Sequence, residues 1–231
     1  MTWSLGWFLS LRNKRILNFR CKDRAKRWHA LLACWLCLVC VTPLAAQEKW
    51  DLRKDTDGIA VYTRNLAQAA VKEIKVICEL PGTTAQLVNM LKDVERHQNW
   101  VYLNRKTQLL QKKNPNRLVY YTEADLPWPL TDRDMVVEAV FSPISQNQQA
   151  RVEVRSVSGY VPEKEDFVRI PSSLAVWEIS TVAKDRIKVV YTFSVNPGGS
   201  VPAWLVNATV ATGPHKTFQN LRKLLQKQPN P

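Results

Sequence analysis

Few side chains of residues 47–231 could act as a nucleophile, an acid or a base. The two histidines of this stretch, His97 and His215, lie far apart in sequence, and neither has a nucleophile beside it. Glu178, Asp134 and His215 would be best suited to serve as a general acid or base if the protein were an enzyme. The sequence contains no motif of a zinc protease, a serine hydrolase, a phosphate-binding loop or a dinucleotide site. We therefore expect no catalysis, no bound metal and no cofactor.

The first 46 residues have the pattern of a secretory signal peptide. Residues 12–27 hold eight basic residues and one acid, an apolar stretch follows up to about Val41, and Ala45-Ala46 supplies small residues for cleavage. We expect cleavage after Ala46 and export, with the periplasm of a bacterium as the compartment. The alternative is an uncleaved N-terminal membrane anchor, although the apolar stretch of about 14 residues is shorter than the roughly 20 residues that span a bilayer.

Removal of this leader changes the charge and the cysteine content of the chain. The formal net charge falls from +13 to +6, because the leader carries eight basic residues and one acid. Such a modest charge is a weak indication of nucleic-acid binding, so no nucleic-acid partner is expected. Four of the five cysteines also lie in the leader, which leaves Cys78 without an internal disulfide partner. Its place on the apolar face of a predicted strand indicates an inert buried thiol.

Alternation of apolar and polar side chains with a period of two predicts strands along most of the chain. Short turn sequences, such as Asn114-Pro115-Asn116, separate neighbouring strands and indicate antiparallel hairpins. The predicted strands are residues 59–64, 71–80, 105–113, 117–125, 134–142, 150–158, 174–182 and 186–195. We expect them to form one antiparallel, meander-like sheet.

Two helices interrupt the strands. Thr83 is suited to cap a helix that continues to about Val94 with apolar residues at helical spacing. A longer helix is predicted for about residues 202–226, and Pro214 is expected to kink or split it. The predicted fold class is α+β, with a curved antiparallel sheet wrapped around the long C-terminal helix. Residues 47–231 are expected to form a single domain and a monomer.

Four motifs follow one another along the chain. They are Asn99-Trp100, the loop Pro127-Trp128-Pro129, the triplet Asp132-Arg133-Asp134 and the run Pro197-Gly198-Gly199-Ser200-Val201-Pro202-Ala203-Trp204-Leu205-Val206-Asn207. Their order and spacing resemble the START (StAR-related lipid-transfer) domain family over nearly all of residues 50–228. The resemblance implies the helix-grip (START/Bet v 1-like) fold. It also implies one hydrophobic ligand, a lipid or similar small molecule, in a tunnel between the sheet and the C-terminal helix.

The resemblance further implies which side chains meet the ligand. The Trp128 loop and the start of the final helix would form a gate that touches a membrane surface transiently, and the large Trp128 ring would need cover. Tyr191 shares a strand face with Phe193, so both side chains point the same way, and Glu178 is another polar group that could reach the interior. The expected tunnel or gate residues are Tyr120, Trp128, Trp177, Tyr191, Phe193, Trp204, Leu205 and Ala208. Asp132, Arg133 and Asp134 are expected to form a structural ion-pair cluster.

Two other functions are compatible with the sequence. Related helix-grip proteins include cyclases and hydratases, and an enzyme of that kind would need Glu178, Asp134 or His215 in the tunnel. A membrane-surface module would instead use the basic residues near Lys112 and those on the final helix. Ala139 stands where sterol-binding members carry an arginine, which disfavours a sterol held in the same way. The identity of the lipid, and the choice between transfer and sensing, stay open.

Overall fold

The computed structural model describes residues 49–65, 73–199, 201 and 210–227. These residues contain ten strands and two α-helices. The strands are β1 (Asp51–Thr56), β2 (Ile59–Arg64), β3 (Glu73–Pro81), β4 (Asn104–Asn114), β5 (Arg117–Ala124), β6 (Asp132–Phe141), β7 (Gln149–Ser156), β8 (Phe167–Arg169), β9 (Ser172–Ala183) and β10 (Arg186–Asn196). The helices are α1 (Thr84–Lys92) and α2 (Thr212–Lys227), with a 3₁₀ helix (Val94–Asn99) between α1 and β4. The predicted leader lies outside the described residues.

All ten strands belong to one sheet. Its order is β1-β2-β3-β10-β9-β7-β6-β5-β4, and these neighbours are antiparallel, whereas β8 pairs in parallel with the start of β6. From β4 to β10 each strand pairs with the next along the chain, except that β8 lies off this path and β7 pairs with β9. Strand β3 then pairs with β10 although more than 100 residues separate them. The prediction of an antiparallel sheet with a C-terminal helix is confirmed.

Strands β1 and β8 were not predicted. The side chains of β1 are almost all exposed, so no apolar alternation marks it, and it forms because the turn Asp57-Gly58 folds it back onto β2. Both turn residues have positive φ, 55° and 64°, which matches the twist of a two-residue hairpin. Strand β8 is three residues long and pairs in parallel, so no local pattern signals it.

Helix α1 begins as predicted. The hydroxyl of Thr83 accepts from the Gln86 N–H at 3.2 Å, while the Gln86 side chain accepts from the Thr83 N–H at 2.7 Å. This reciprocal capping box satisfies two of the N–H groups that a helix start leaves without partners. The buried face of α1, which includes Leu87 and Leu91, packs against the 3₁₀ helix and the strands β7 and β9.

Helix α2 begins at Thr212 in the described part of the chain, with Pro214 in its first turn. Proline is tolerated there because the N–H groups of the first turn have no partner within the helix. The predicted start at residue 202 lies outside the described residues. Phe218 and Leu221, both buried, lie on the face of α2 that packs over β2 and β3.

The two faces of the sheet pack into separate apolar clusters. We call the side that packs against the helices the inner face and the opposite side the outer face. The inner face forms the main core, with Val76, Leu80, Tyr120, Val137, Ala139, Phe141, Val152, Trp177, Ile179 and Val189. A smaller apolar cluster lies on the outer face, where Val119, Tyr121 and Val136 are covered by Val157 and Val161. Successive side chains of each strand therefore alternate between two separate environments.

Candidate functional site

Aromatic side chains from several elements meet on the inner face. The ring of Trp177 lies 4.6 Å from that of Tyr191, 5.4 Å from Phe218 of α2 and 6.2 Å from Trp100. Phe193 extends the cluster beyond Tyr191, with its ring 6.3 Å away. Strand pairing sets this arrangement, because Tyr191 lies directly opposite Trp177 in the register of β10 and β9. Three of the predicted site residues, Trp177, Tyr191 and Phe193, are thus side by side.

Tyr120 and Tyr191 bring phenol groups to this apolar surface. Burial raises the pKa of both phenols above the usual range, and for Tyr191 the neighbouring Tyr120 raises it further. Among the described residues, neither hydroxyl makes a hydrogen bond. Two neutral hydroxyl groups are therefore available to a polar atom of a bound molecule.

His97 completes this part of the site and was not predicted as a site residue. Its ring lies 5.5 Å from that of Tyr120 and 5.1 Å from that of Trp100. Its Nε2 donates to the carbonyl of Leu91 at 3.1 Å. Burial lowers the pKa of His97 to about 4, so the ring is neutral at pH 7. The sequence signals near this corner were the motif Asn99-Trp100 and Tyr120, itself a predicted site residue.

The inner face becomes polar toward one end of the strands. In β5 the inward side chains run from Tyr120 to Thr122, and in β9 they run from Trp177 to Ser173. Thr122 accepts from Asn104 at 2.6 Å. Ser173 donates weakly to the Met135 sulfur at 3.8 Å. The inner face thus has an aromatic end and a hydroxyl-bearing end.

Arg133 lies at the polar end. Its side chain lies on the same face of β6 as those of Met135 and Val137, which pack into the inner core. Arg133 is only 4% exposed. Its Nη1 donates a hydrogen bond to the Thr131 carbonyl, whereas its Nε has no hydrogen-bond partner among the described residues. Burial lowers the pKa of this guanidinium, and the charge of Asp132 offsets only part of that effect.

The predicted Asp132-Arg133-Asp134 cluster therefore divides between the two faces. Asp134 is held on the outer face by Arg169, at 2.7 Å to Nε and 2.9 Å to Nη2. Asp132 accepts from the Leu126 N–H at 2.9 Å and pairs with Arg105. Within the described part of the chain Arg133 forms no ion pair, and in this it differs from the prediction. Alternation along a strand sends consecutive residues to opposite faces, which is the signal that would have separated Arg133 from its neighbours.

Trp128 lies on the loop between β5 and β6 and is 91% exposed. The loop is a tight turn in which the Leu130 N–H donates to the Pro127 carbonyl at 3.1 Å, and the Trp128–Pro129 peptide bond is cis. The expected cover for the ring is therefore lacking, and a large aromatic side chain projects into solvent. The other predicted gate residues, Trp204, Leu205 and Ala208, lie outside the described residues.

The three candidate acids or bases do not converge. Glu178 faces outward from β9, opposite to the neighbouring Trp177, and pairs with Arg151 at 2.9 Å, so the expectation that it reaches the interior is wrong. His215 Nε2 lies 2.7 Å from the hydroxyl of Thr56, under the β1–β2 hairpin. Asp134 is on the outer face with Arg169. A shallow depression of about 460 Å³ beside Glu178 also opens on the outer face, away from the aromatic cluster.

The described residues show an inert buried cysteine, no metal-binding cluster and no membrane-spanning helix. Burial raises the pKa of the Cys78 thiol to about 12, in agreement with an unreactive side chain. In residues 49–65, 73–199, 201 and 210–227 no group of three or more histidine, cysteine or acidic side chains could hold a metal ion. Over the same residues, every helix is too short or too polar to cross a membrane.

The chain is similar to known proteins in family, sequence and structure. The START domain family matches residues 33–230. An uncharacterised protein of Pseudomonas aeruginosa is 27% identical over 184 residues, covering 80% of this chain and 90% of that protein. Mouse phosphatidylcholine transfer protein is 25% identical over 188 residues, covering 80% of this chain and 87% of that protein.

A solved structure agrees with this assignment. The crystal structure of a STAR-related lipid transfer protein from Xanthomonas axonopodis superposes with a TM-score of 0.70 at 30% sequence identity, covering 77% of this chain and 99% of that one. The fold of this chain is therefore shared with a solved structure over most of its length. The chain belongs to the START domain family.

Proposed function

We propose that the protein binds a single lipid, or another hydrophobic molecule of similar size, between the inner face of the sheet and the C-terminal helix, without changing it chemically. The observation that carries this proposal is the aromatic end of the inner face. There Trp177, Tyr191 and Phe193 form a continuous apolar surface, and the phenols of Tyr120 and Tyr191 are free of hydrogen bonds within the described residues. Such surfaces with few polar groups are typical of small-molecule sites.

The energy of binding would come mainly from the hydrophobic effect. Each methylene group moved from water to an apolar surface contributes about 0.8 kcal/mol, so an acyl chain with about ten buried methylenes supplies about 8 kcal/mol. Part of this gain is offset by the lost freedom of the ligand. No cofactor is required for this mechanism, and the dispersed positions of Glu178, Asp134 and His215 give the enzyme alternative no support.

The exposed Trp128 suggests how a lipid would be collected or delivered. Tryptophan combines a large apolar ring with an N–H donor, and it is favoured where protein meets the membrane–water boundary. Its loop leads directly into β6, so contact with a bilayer would place the polar end of the inner face near the membrane. The name of the related mouse protein, phosphatidylcholine transfer protein, supports transfer over sensing.

The test is native mass spectrometry of the protein purified from its host, followed by organic extraction and analysis of the extract. We expect a defined lipid at one molecule per protein. A matched pair of substitutions in β9 locates it: Ala175→Phe adds bulk beside Phe193 on the inner face, and Val176→Phe adds similar bulk to the outer face. The inner-face variant should lose its lipid and the outer-face variant should keep it. Lipid-free protein that also takes up no fluorescent lipid would refute the proposal.

The location of the protein is part of the proposal. The leader pattern supports export to the periplasm with cleavage after Ala46, and a monomer would be sufficient for the function. Cell fractionation and N-terminal sequencing test this directly. We expect a periplasmic protein that begins at Gln47, and recovery in the membrane fraction with residue 1 intact would favour the anchored form.

A further inference from the structure

The polar end of the inner face contains a buried positive charge. Arg133 is 4% exposed, and among the described residues it has no carboxylate partner. The two acids beside it in sequence are engaged elsewhere, Asp132 with Arg105 and Asp134 with Arg169. A buried charge without a partner is costly and rare in native proteins, and a bound anion is one of the few arrangements that would satisfy it.

The position of this charge relates it to the aromatic end. Arg133 and Val137 are four residues apart in β6, which corresponds to roughly 13 Å along the strand. Val137 lies opposite Tyr120 in the register, and Arg133 lies opposite Ala124. Nε of Arg133 is buried and without a partner within the described residues. The inner face thus offers an apolar surface and, roughly 13 Å away along β6, a positively charged group whose Nε has no partner among the described residues.

Nearby hydroxyl groups could help to bind a head group. Thr122 is one step along β5 from Ala124 on the same face, and Ser173 reaches the Met135 sulfur, which lies between Arg133 and Val137. Both are neutral groups able to donate to an oxygen. Together with the planar guanidinium they suit a tetrahedral or planar oxyanion, because guanidinium groups bind phosphate and carboxylate through two parallel N–H bonds.

We propose that Arg133 binds the phosphate or carboxylate group of an anionic lipid whose apolar part lies on the aromatic end of the inner face. This inference rests on the proposed function and names the ligand class: an amphiphile with a negatively charged head, rather than a neutral lipid. The site has its charge on β6 and its apolar surface on β5, β9 and β10, so head and tail are recognised separately.

The experiment compares lipids that differ only in the head group. The full chain is titrated with phosphatidic acid and with diacylglycerol, each carrying the same fluorescent acyl chain, and palmitic acid and hexadecanol compete as unlabelled ligands. The variants are Arg133→Met, which removes the charge at similar length, and Arg133→Lys, which keeps the charge. Arg155→Met is the matched control, because Arg155 lies on the outer face and pairs there with Glu138 at 2.9 Å.

We expect the wild type to bind phosphatidic acid at least about tenfold more tightly than diacylglycerol, the size of effect that a charge-assisted hydrogen bond produces. Arg133→Met should abolish this preference and bind diacylglycerol as the wild type does. Arg133→Lys should keep part of the preference, and Arg155→Met all of it. Palmitic acid should compete better than hexadecanol only where the charge at position 133 remains.

Several results would overturn the inference. A wild type without preference for the anionic lipid refutes it, as does an Arg133→Met variant that keeps the preference. Competition by inorganic phosphate alone would assign the site to a free anion instead of a lipid head. If Arg133→Met does not fold, by circular dichroism, the wild-type preference and Arg133→Lys decide. Failure to bind either lipid would refute the proposed function itself, which is a distinguishable outcome.

Discussion

Arg133 and Asp134 are adjacent in β6, yet their side chains lie on opposite faces of the sheet. The carboxylate of Asp134 is completely enclosed on the outer face and receives two hydrogen bonds from Arg169, at 2.7 and 2.9 Å. The guanidinium of Arg133 is on the inner face, with Nε unpaired among the described residues. Asp134 therefore carries a charge with an ion-pair partner, whereas Arg133 carries one without such a partner among the described residues. Substitution of Asp134 should change the stability of the fold, and substitution of Arg133 should change ligand binding.

The first prediction concerns the structural half of this pair. Asp134→Asn should lower the free energy of unfolding by about 3–5 kcal/mol, because it leaves the positive charge of Arg169 without its buried partner. Urea unfolding followed by circular dichroism measures the change. Asp125→Asn is the control: Asp125 also pairs with an arginine, Arg105 at 3.2 Å, but its side chain is half exposed. That control should change stability by less than about 0.5 kcal/mol.

The pH dependence of stability is the second prediction. Burial tends to raise the pKa of Asp134, but the hydrogen bonds from Arg169 and Tyr121 outweigh it and hold the pKa below the ordinary aspartate value. The resulting stability is present above the unfolded pKa of about 3.9 and is lost as the pH falls through the lower folded pKa. Asp134→Asn should therefore lose less stability than the wild type on acidification below about pH 4. Parallel acid-unfolding curves for the two proteins would contradict this prediction.

The third prediction compares two neighbouring tyrosines of β5. The hydroxyl of Tyr121 lies 3.0 Å from both the Glu123 and the Asp134 carboxylates, whereas that of Tyr120 has no partner within the described residues. Tyr121→Phe should cost about 1–3 kcal/mol of unfolding free energy, because it leaves two buried carboxylates with one partner fewer. Tyr120→Phe should be nearly neutral in lipid-free protein. Equal losses for the two substitutions, measured by urea unfolding, would show that Tyr120 has a structural partner after all.

Much of the fold could be predicted from the sequence, because local patterns decide local structure. The alternation in residues 59–64 matches β2 residue for residue, and the threonine cap places the start of α1 correctly. Strand β1 could not be predicted, because its side chains remain exposed and only pairing with β2 orders it. The position of β3 beside β10 is equally invisible to local patterns, since it depends on contacts between distant parts of the chain.

The candidate site was predicted in part for the same reason. Tyr191 and Phe193 could be assigned to one face of β10 from alternation. The same rule applied to β9 sends Glu178 to the face opposite that of Trp177, and the sequence interpretation missed this. The division of the Asp132-Arg133-Asp134 triplet was also missed, because the charges were considered as one cluster. Consecutive residues of a strand point to opposite faces of the sheet, so the three charges cannot form one cluster. Only the burial and pairing of each side chain in the structure show that Arg133 lacks a carboxylate partner among the described residues.

The fourth prediction separates Glu178 from ligand binding. Glu178→Gln should leave lipid affinity unchanged and should alter stability by less than about 0.5 kcal/mol, because its pair with Arg151 is exposed to water. Titration with the fluorescent acyl lipid, alongside the inner-face Ala175→Phe variant, measures the effect. Loss of lipid binding in Glu178→Gln would contradict the separation of this side chain from the site. A turnover that the substitution abolishes would restore the enzyme interpretation, in which this carboxylate acts as an acid or base.

The fifth prediction concerns the contact with membranes. Trp128→Ala should weaken binding to phosphatidylcholine vesicles containing phosphatidylglycerol by at least about tenfold, because insertion of the indole ring removes a large apolar area from water. Stability should be unchanged within about 0.5 kcal/mol, since the side chain is 91% exposed. Tyr160→Ala, at another exposed aromatic residue, is the control and should bind vesicles normally. If Trp128→Ala binds vesicles as the wild type does but still delivers lipid more slowly, the ring acts on the opening of the site. If neither property changes, this loop is not the membrane contact, and a basic surface such as that around Lys112 becomes the better candidate.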